Sequence, residues 1–258
     1  MKSDRNVDLM PPILYLLTIS GALFFVLHQL YPASPDLGYH LLLGAVLLPI
    51  QALLILVVLS IHQNQQAQLE RARRMNMVIG AFVFEVGTPL LRLFILFDRH
   101  SSYLAPRLQL TGEWTAKELS QALRETWEHT YDMDCLAWNM GKLKVFLMDK
   151  RETLLHLLEN PNLVEHETFT DLLWAVNHLT DELSYRQDVD NLSAPDAAHL
   201  ADDMRRAYFL LLSTWLTYLE HIQGEYPFLF SLVVRTNPFN SDARAEIQAP
   251  PTPTAGPT

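Results

Sequence analysis

Residues 9–35, LMPPILYLLTISGALFFVLHQLYPASP, and residues 37–69, LGYHLLLGAVLLPIQALLILVVLSIHQNQQAQL, contain no Asp, Glu, Lys or Arg, and Asp36 alone separates them. A helix that crosses the bilayer needs about 20 predominantly apolar residues. Each stretch supplies such a run, so the sequence predicts two spans, at 11–31 and 41–61, joined by a short proline-bearing loop at 32–37. Pro11 and Pro12 suit a first helical turn, where a missing N–H costs nothing. The first run is longer than the apolar core of a secretory signal and lacks a small-x-small cleavage site, which favours a retained anchor. Lys2 and Arg5 precede the first span, Arg71, Arg73 and Arg74 follow the second, and the loop has no basic residue. The positive-inside rule then places both termini in the cytoplasm and the protein in the inner membrane as a multi-pass chain.

A third apolar stretch, 75–97, carries Asn76, Glu85, Thr88 and Arg92. Two ionised groups at mid-bilayer cost about 2.5–3.5 kcal/mol each, and Gly87-Thr88-Pro89 interrupts the helix. The expectation is a core or membrane-proximal helical pair broken at Pro89, within a connector over 62–112.

The chain has 258 residues, with 19 Lys and Arg against 29 Asp and Glu, for a formal net charge of −10. Only Lys2, Arg5, Asp4, Asp8 and Asp36 fall before residue 62, so nearly all the negative charge belongs to the remainder. Such a domain lacks the basic surface that phosphate contacts require, which excludes nucleic acid as a partner. Cys135 is the single cysteine. It rules out an internal disulfide and a paired-cysteine zinc site.

Residues 113–239 read as a helical bundle. Thr115 and Glu118 have the spacing of a capping box, opening a helix with Leu119, Ala122, Leu123, Trp127 and Tyr131 on one stripe. Phe169, Leu172, Val176, Leu179 and Leu183 form a second stripe at spacings of three and four. Leu200, Met204, Tyr208, Leu211, Trp215, Tyr218 and Ile222 form a third. The apolar segment 226–234 should dock on the bundle, on another chain or on the membrane surface. Residues 240–258, ending in a Pro/Thr-rich run, are expected to be disordered.

MNMVIGAF at 75–82, followed by EVGT at 85–88, resembles a segment of bacterial two-span inner-membrane proteins with no assigned function. YPFLFSL at 226–232, followed by RTNPF at 235–239, carries the same resemblance. It implies a bacterial inner-membrane setting and no chemistry.

Three helical faces carry a histidine with carboxylates at one-face spacing: Glu125/His129/Asp132, Asp171/His178/Glu182 and Asp196/His199/Asp203. Metal ligation needs such spacing. However, a ferritin-like dimetal centre needs two Glu-x-x-His motifs, and only Asp196-Ala197-Ala198-His199 comes near. The groups read as solvated faces opposite the Leu and Trp seams, so no metal, cofactor or catalytic residue is expected. Glu85 and Arg92, seven apart in the third apolar stretch, are the candidate functional residues. They read as an ion-handling pair or as surface charges paired with each other, Arg73 or Asp98. No Gly-x-Gly-x-x-Gly, phosphate loop, His-Glu-x-x-His or Gly-x-Ser-x-Gly is present. Asn237-Pro238-Phe239 matches a trafficking tripeptide by chance.

The sequence therefore predicts an all-α chain, integral to the lipid bilayer, with a two-helix transmembrane hairpin and a cytoplasmic helical bundle. Its expected role is that of a non-enzymatic adaptor or accessory subunit, presenting an acidic surface to a protein partner or to a second copy. A metalloenzyme using the His/carboxylate faces and a small transporter component using Glu85 and Arg92 are the alternatives.

Overall fold

The structure, a computed structural model, describes residues 10–30, 37–109, 114–161, 163 and 166–246. It divides into two compact units, Met1–Ala72 and Arg73–Thr258. The first unit holds α1 (Met10–Leu30) and most of α2 (Leu37–Phe82), which continues through Pro49. Ser20 is buried, and its hydroxyl donates to the Val46 carbonyl at 2.9 Å, beside buried Leu27 and Val46. The other apolar side chains largely face outward, among them Phe25, Leu54, Ile55 and Val58.

Among the described residues one continuous helical run, Val46–Ile95, is long and apolar enough to cross a membrane, and only 6% of its most apolar window is buried. The apolar helix Leu14–Gln29 is shorter. Length and composition thus mark one of the two expected spans. The expected loop lies largely outside the described residues, as does the tail beyond 246.

The second unit is an all-helical bundle. The end of α2 passes through a π turn (Val83–Gly87) into α3 (Thr88–Ile95), followed by α4 (Ser101–Leu104) and a 3-10 turn (Ala105–Arg107). Then come α5 (Ala116–Glu128), α6 (Met140–Leu158), α7 (Glu167–Tyr185), α8 (Ala194–Glu225) and α9 (Pro227–Arg235). Among the described residues there is no strand, only an isolated bridge between Asp98 and Met133. α8 is the central element, with α3, α5, α7 and α9 packed on it and α6 packed on α7.

Local chemistry explains the helix ends. Thr115 and Glu118 form the expected capping box: the Glu118 carboxylate accepts from the Thr115 N–H at 2.6 Å, and the Thr115 hydroxyl accepts from the Glu118 N–H at 3.4 Å. Ser193 caps α8, whose first turn contains Pro195, and Asn139 caps α6. The two long seams are buried throughout, from Phe169 to Leu183 on α7 and from Leu200 to Ile222 on α8. Each such side chain contributes roughly 1.5–3 kcal/mol of transfer free energy on burial.

One expectation changes. Trp127 is 68% exposed, touching Phe209 by its edge, and does not share the buried stripe of Leu119 and Ala122. Of the two alternatives for the third apolar stretch, the core is the one seen: Met75, Phe82, Val86, Leu90, Phe94 and Phe97, and beyond them Leu104 and Leu108, all lie within it. The break expected at Pro89 is a π turn in which the Thr88 N–H reaches the Val83 carbonyl. A wider turn suits a proline two positions into the next segment, because Pro89 has no N–H to give and its ring needs room. Gly87 lies against Leu211, where an added Cβ would sit 3.3 Å from that side chain.

The 226–234 segment docks on the bundle as α9, burying Phe230 and Val233. Beyond it, the Asn237 side chain donates to the Leu108 carbonyl at 2.6 Å and accepts from the Phe239 N–H at 2.9 Å. Phe239 itself packs near Trp215. Asn237-Pro238-Phe239 is thus a structural clasp.

Candidate metal centre

α7 and α8 lie side by side, and each carries a histidine four residues before a carboxylate: His178 and Glu182, His199 and Asp203. A spacing of four keeps both side chains of each pair on one helical face, and the packing turns the two faces toward each other. The Asp203 Oδ2 lies 3.4 Å from the Nε2 of His178 and 3.4 Å from the Nε2 of His199. The Glu182 carboxylate lies 3.9 Å from His178 and 3.7 Å from His199. One donor atom each from His178, Glu182 and His199 falls within 4.8 Å of the other two. Ligands held 2.0–2.2 Å from a central tetrahedral ion are separated by about 3.3–3.6 Å, close to the shortest of these distances.

Burial sharpens the chemistry. The Asp203 side chain is 6% exposed, and its Oδ2 has no hydrogen-bond partner among the described residues. A buried carboxylate oxygen facing two imidazoles needs a counter-charge, which a cation between them would supply. The imidazoles are about half exposed, at 49% and 51%, so the centre opens to solvent on one side.

A second layer orients the carboxylate on α7. Arg186 donates to the Glu182 carboxylate at 2.6 Å and to Asp196 at 2.6 Å. The hydrogen bond from Arg186 is the largest influence holding Glu182 below the usual carboxylate range, and the same is true of Asp196. Glu182 therefore stays ionised and oriented, as a metal ligand must be. Asp196 serves Arg186 and stands outside the donor set. Asp171 is exposed and makes no part of it.

The remaining sequence candidates are separated. His129 is buried against Asp98, with Nε2 3.5 Å from Oδ2, while Glu125 meets Arg107 and Asp132 meets Arg99. Burial pushes the His129 imidazole down, and the Asp98 carboxylate opposes that shift. Glu85 and Arg92 do not pair with each other. Glu85 sits in the π turn and faces Lys150 at 3.5 Å, and Arg92 donates to the Thr236 carbonyl at 2.7 Å. The π turn explains this, because its extra residue alters the helical phase between positions 85 and 92.

The sequence places His178/Glu182 and His199/Asp203 on two separate faces, and what it does not give is that the two faces meet across α7 and α8. The signal was the matched His-x3-carboxylate spacing at 178/182 and 199/203.

Fold and site together define an all-helical bundle protein with a two-histidine, two-carboxylate cluster on adjacent helices. The chain belongs to the family of Uncharacterized protein MJ1433, whose C-terminal helical domain model matches residues 71–235. It is similar to Uncharacterized protein MJ1433 of Methanocaldococcus jannaschii, with 36% identity over 235 residues, covering 88% of this chain and 94% of the relative. That relative is archaeal, so it lends no support to the bacterial setting implied by the resemblance. No solved structure matches.

Proposed function

We propose that the chain is a membrane-anchored accessory protein whose helical domain binds one divalent transition-metal ion through His178, Glu182, His199 and Asp203. The observation that carries this reading is the buried Asp203 Oδ2, placed 3.4 Å from both imidazoles and otherwise unpartnered among the described residues. Two imidazoles and two carboxylates form a mixed nitrogen and oxygen set that suits zinc, iron(II) or manganese(II) and disfavours calcium or magnesium. The ion would join α7 to α8 across the face that also carries Arg186 and Asp196, giving the acidic surface one fixed shape for a partner.

Anchoring by a hairpin over 11–31 and 41–61, with both termini cytoplasmic, rests on the uncharged runs and the basic flanks. The outward-facing Leu54, Ile55 and Val58 support it, since a contiguous apolar surface of that kind needs a cover. The half-exposed imidazoles favour a second reading, a metalloenzyme, because they leave the ion open to a water or substrate ligand.

Purified, detergent-solubilised protein, stripped and reloaded, should retain one equivalent of metal by elemental analysis. His178→Ala and Asp203→Asn should each abolish retention. At a hundredfold excess over Kd, one ion stabilises the fold by about 2.7 kcal/mol, so stripping should lower Tm in the parent protein and leave His178→Ala unmoved. Failure of zinc, iron(II) and manganese(II) to bind stoichiometrically would overturn the reading. Metal-dependent turnover of an ester or phosphodiester, lost in His178→Ala, would select the enzyme.

A further inference from the structure

The chain leaving α3 and the chain leaving α5 close over one another. The Arg99 N–H donates to the Asp132 carbonyl at 3.0 Å and the Asp134 N–H to the Phe97 carbonyl at 2.8 Å, on either side of the bridge between Asp98 and Met133. At the surface the Arg99 guanidinium meets Asp134 at 2.7 Å and Asp132 at 3.7 Å. Asp98 and His129 are enclosed, with side chains 0% and 4% exposed. The Asp98 Oδ2 faces the His129 Nε2 at 3.5 Å, and neither atom has a hydrogen-bond partner among the described residues.

Other titratable groups surround the imidazole. His100 stands 6.3 Å from it, ring centre to ring centre, and Tyr103 of α4 stacks on it at 5.6 Å, with Arg107 over the Tyr103 ring at 3.7 Å. Tyr131 meets it edge-on at 4.7 Å, and Tyr208 of α8 lies 5.2 Å behind Tyr131. The Tyr208 hydroxyl is also buried and unpartnered among the described residues. Aromatic packing holds this enclosure shut, while three unpartnered polar atoms favour opening, since water would serve each of them. Burial drives the His129 imidazole below its ordinary 6.5; the Asp98 carboxylate opposes this and His100 adds to it. The shut form therefore binds fewer protons than the open form as pH falls through 6.5, and acid favours opening.

We propose that Asp98 and His129 form the catch of a pH-operated flap, shut while His129 is neutral and opened in mild acid, when the imidazole takes up a proton and moves into water. Opening parts residues 97–101 from 129–134 and brings Tyr131 and Tyr208 into contact with solvent. Asp132 and Asp134 ride on the moving segment, so the same event changes how two carboxylates are presented on the acidic surface of the domain. The flap shares no residue with the metal centre and does not rest on it.

The test is hydrogen exchange read by mass spectrometry on the full, detergent-solubilised chain, stripped of metal, at pH 7.5, 6.5 and 5.5. Each rate is divided by the intrinsic exchange rate at that pH. Peptides covering 97–101 and 129–135 should lose protection severalfold from pH 7.5 to 5.5, with about tenfold as the ceiling for one proton on a group that titrates at 6.5 when open. Peptides from 143–154 of α6 should change less than about twofold, which separates local opening from general loosening. His129→Gln keeps a donor for Asp98 and cannot titrate in this range, so its protection should stay level across the series. Asp98→Asn should keep the pH response, because it removes the influence that opposes the His129 shift. His178→Ala should respond as the parent does, which separates this inference from the metal reading. Level protection in the parent overturns the inference, as does an undiminished response in His129→Gln. A response lost in Asp98→Asn overturns it too, by making the carboxyl the sensor, and one lost in His178→Ala does so by moving the sensor to the metal centre.

Discussion

The thiol of Cys135 donates to the Ala197 carbonyl at 3.4 Å and lies 3.8 Å from the Met204 sulfur. Burial pushes it up to about 12, with the Asp134 carboxylate adding to the shift. A raised thiol value means a vanishing thiolate fraction at neutral pH, and the thiolate is the reactive species. Alkylation by iodoacetamide at pH 8 should therefore run at least about a hundredfold slower in the native protein than in urea. The native rate should climb as pH approaches 11. A native rate within tenfold of the denatured one would show that the thiol is not held in the core. The neighbouring Asp134 has a different task. Its carboxylate accepts from the Leu136 N–H at 2.9 Å and from Arg99 at 2.7 Å, closing the loop after α5 onto the segment after α3.

Helix α8 shows how capping and periodicity act together. Its Ser193 cap, the proline in its first turn and its seam of seven apolar side chains all point to one start and one buried face. Ser193→Ala should lower stability by about 1 kcal/mol, measured by urea denaturation, with no change in metal retention. This helix and α7 were legible in the sequence because their apolar side chains recur every three or four positions, and Thr115 to Glu118 was legible because a capping box is local. The metal-type cluster was not. His178 and His199 lie on different helices, and their meeting depends on how α7 slides and rotates against α8, which spacing within one helix does not encode. Trp127 was misplaced for a related reason: it falls on the edge of its stripe, where the width of the neighbour decides burial. The π turn, one extra residue in phase, likewise separated Glu85 from Arg92 without a signature beyond Pro89.

For the molecule as a whole, the compact second unit starts at Arg73, and the family match starts just before it, at residue 71. A fragment over 71–246 should unfold in one cooperative transition by circular dichroism. A fragment over 113–246 lacks Phe82, Leu90, Phe94, Phe97 and Leu104, all buried, and should show no such transition. Equal cooperativity in both would mean that the α2-to-α4 segment is peripheral.

The hydrogen bond from Asn237 to the Leu108 carbonyl joins positions 129 apart. Its meaning changes when the chain is followed in time. At the ribosome's pace of roughly 5–20 residues per second, Leu108 emerges some 6–26 seconds ahead of the side chain that completes its hydrogen bonding. For most of that interval Phe82, Phe94 and Phe97 have been made while α8 (Ala194–Glu225), on which α3 packs, is absent or only partly synthesised. The nascent chain therefore passes through a prolonged phase with an unfinished apolar layer, in which it is open to aggregation.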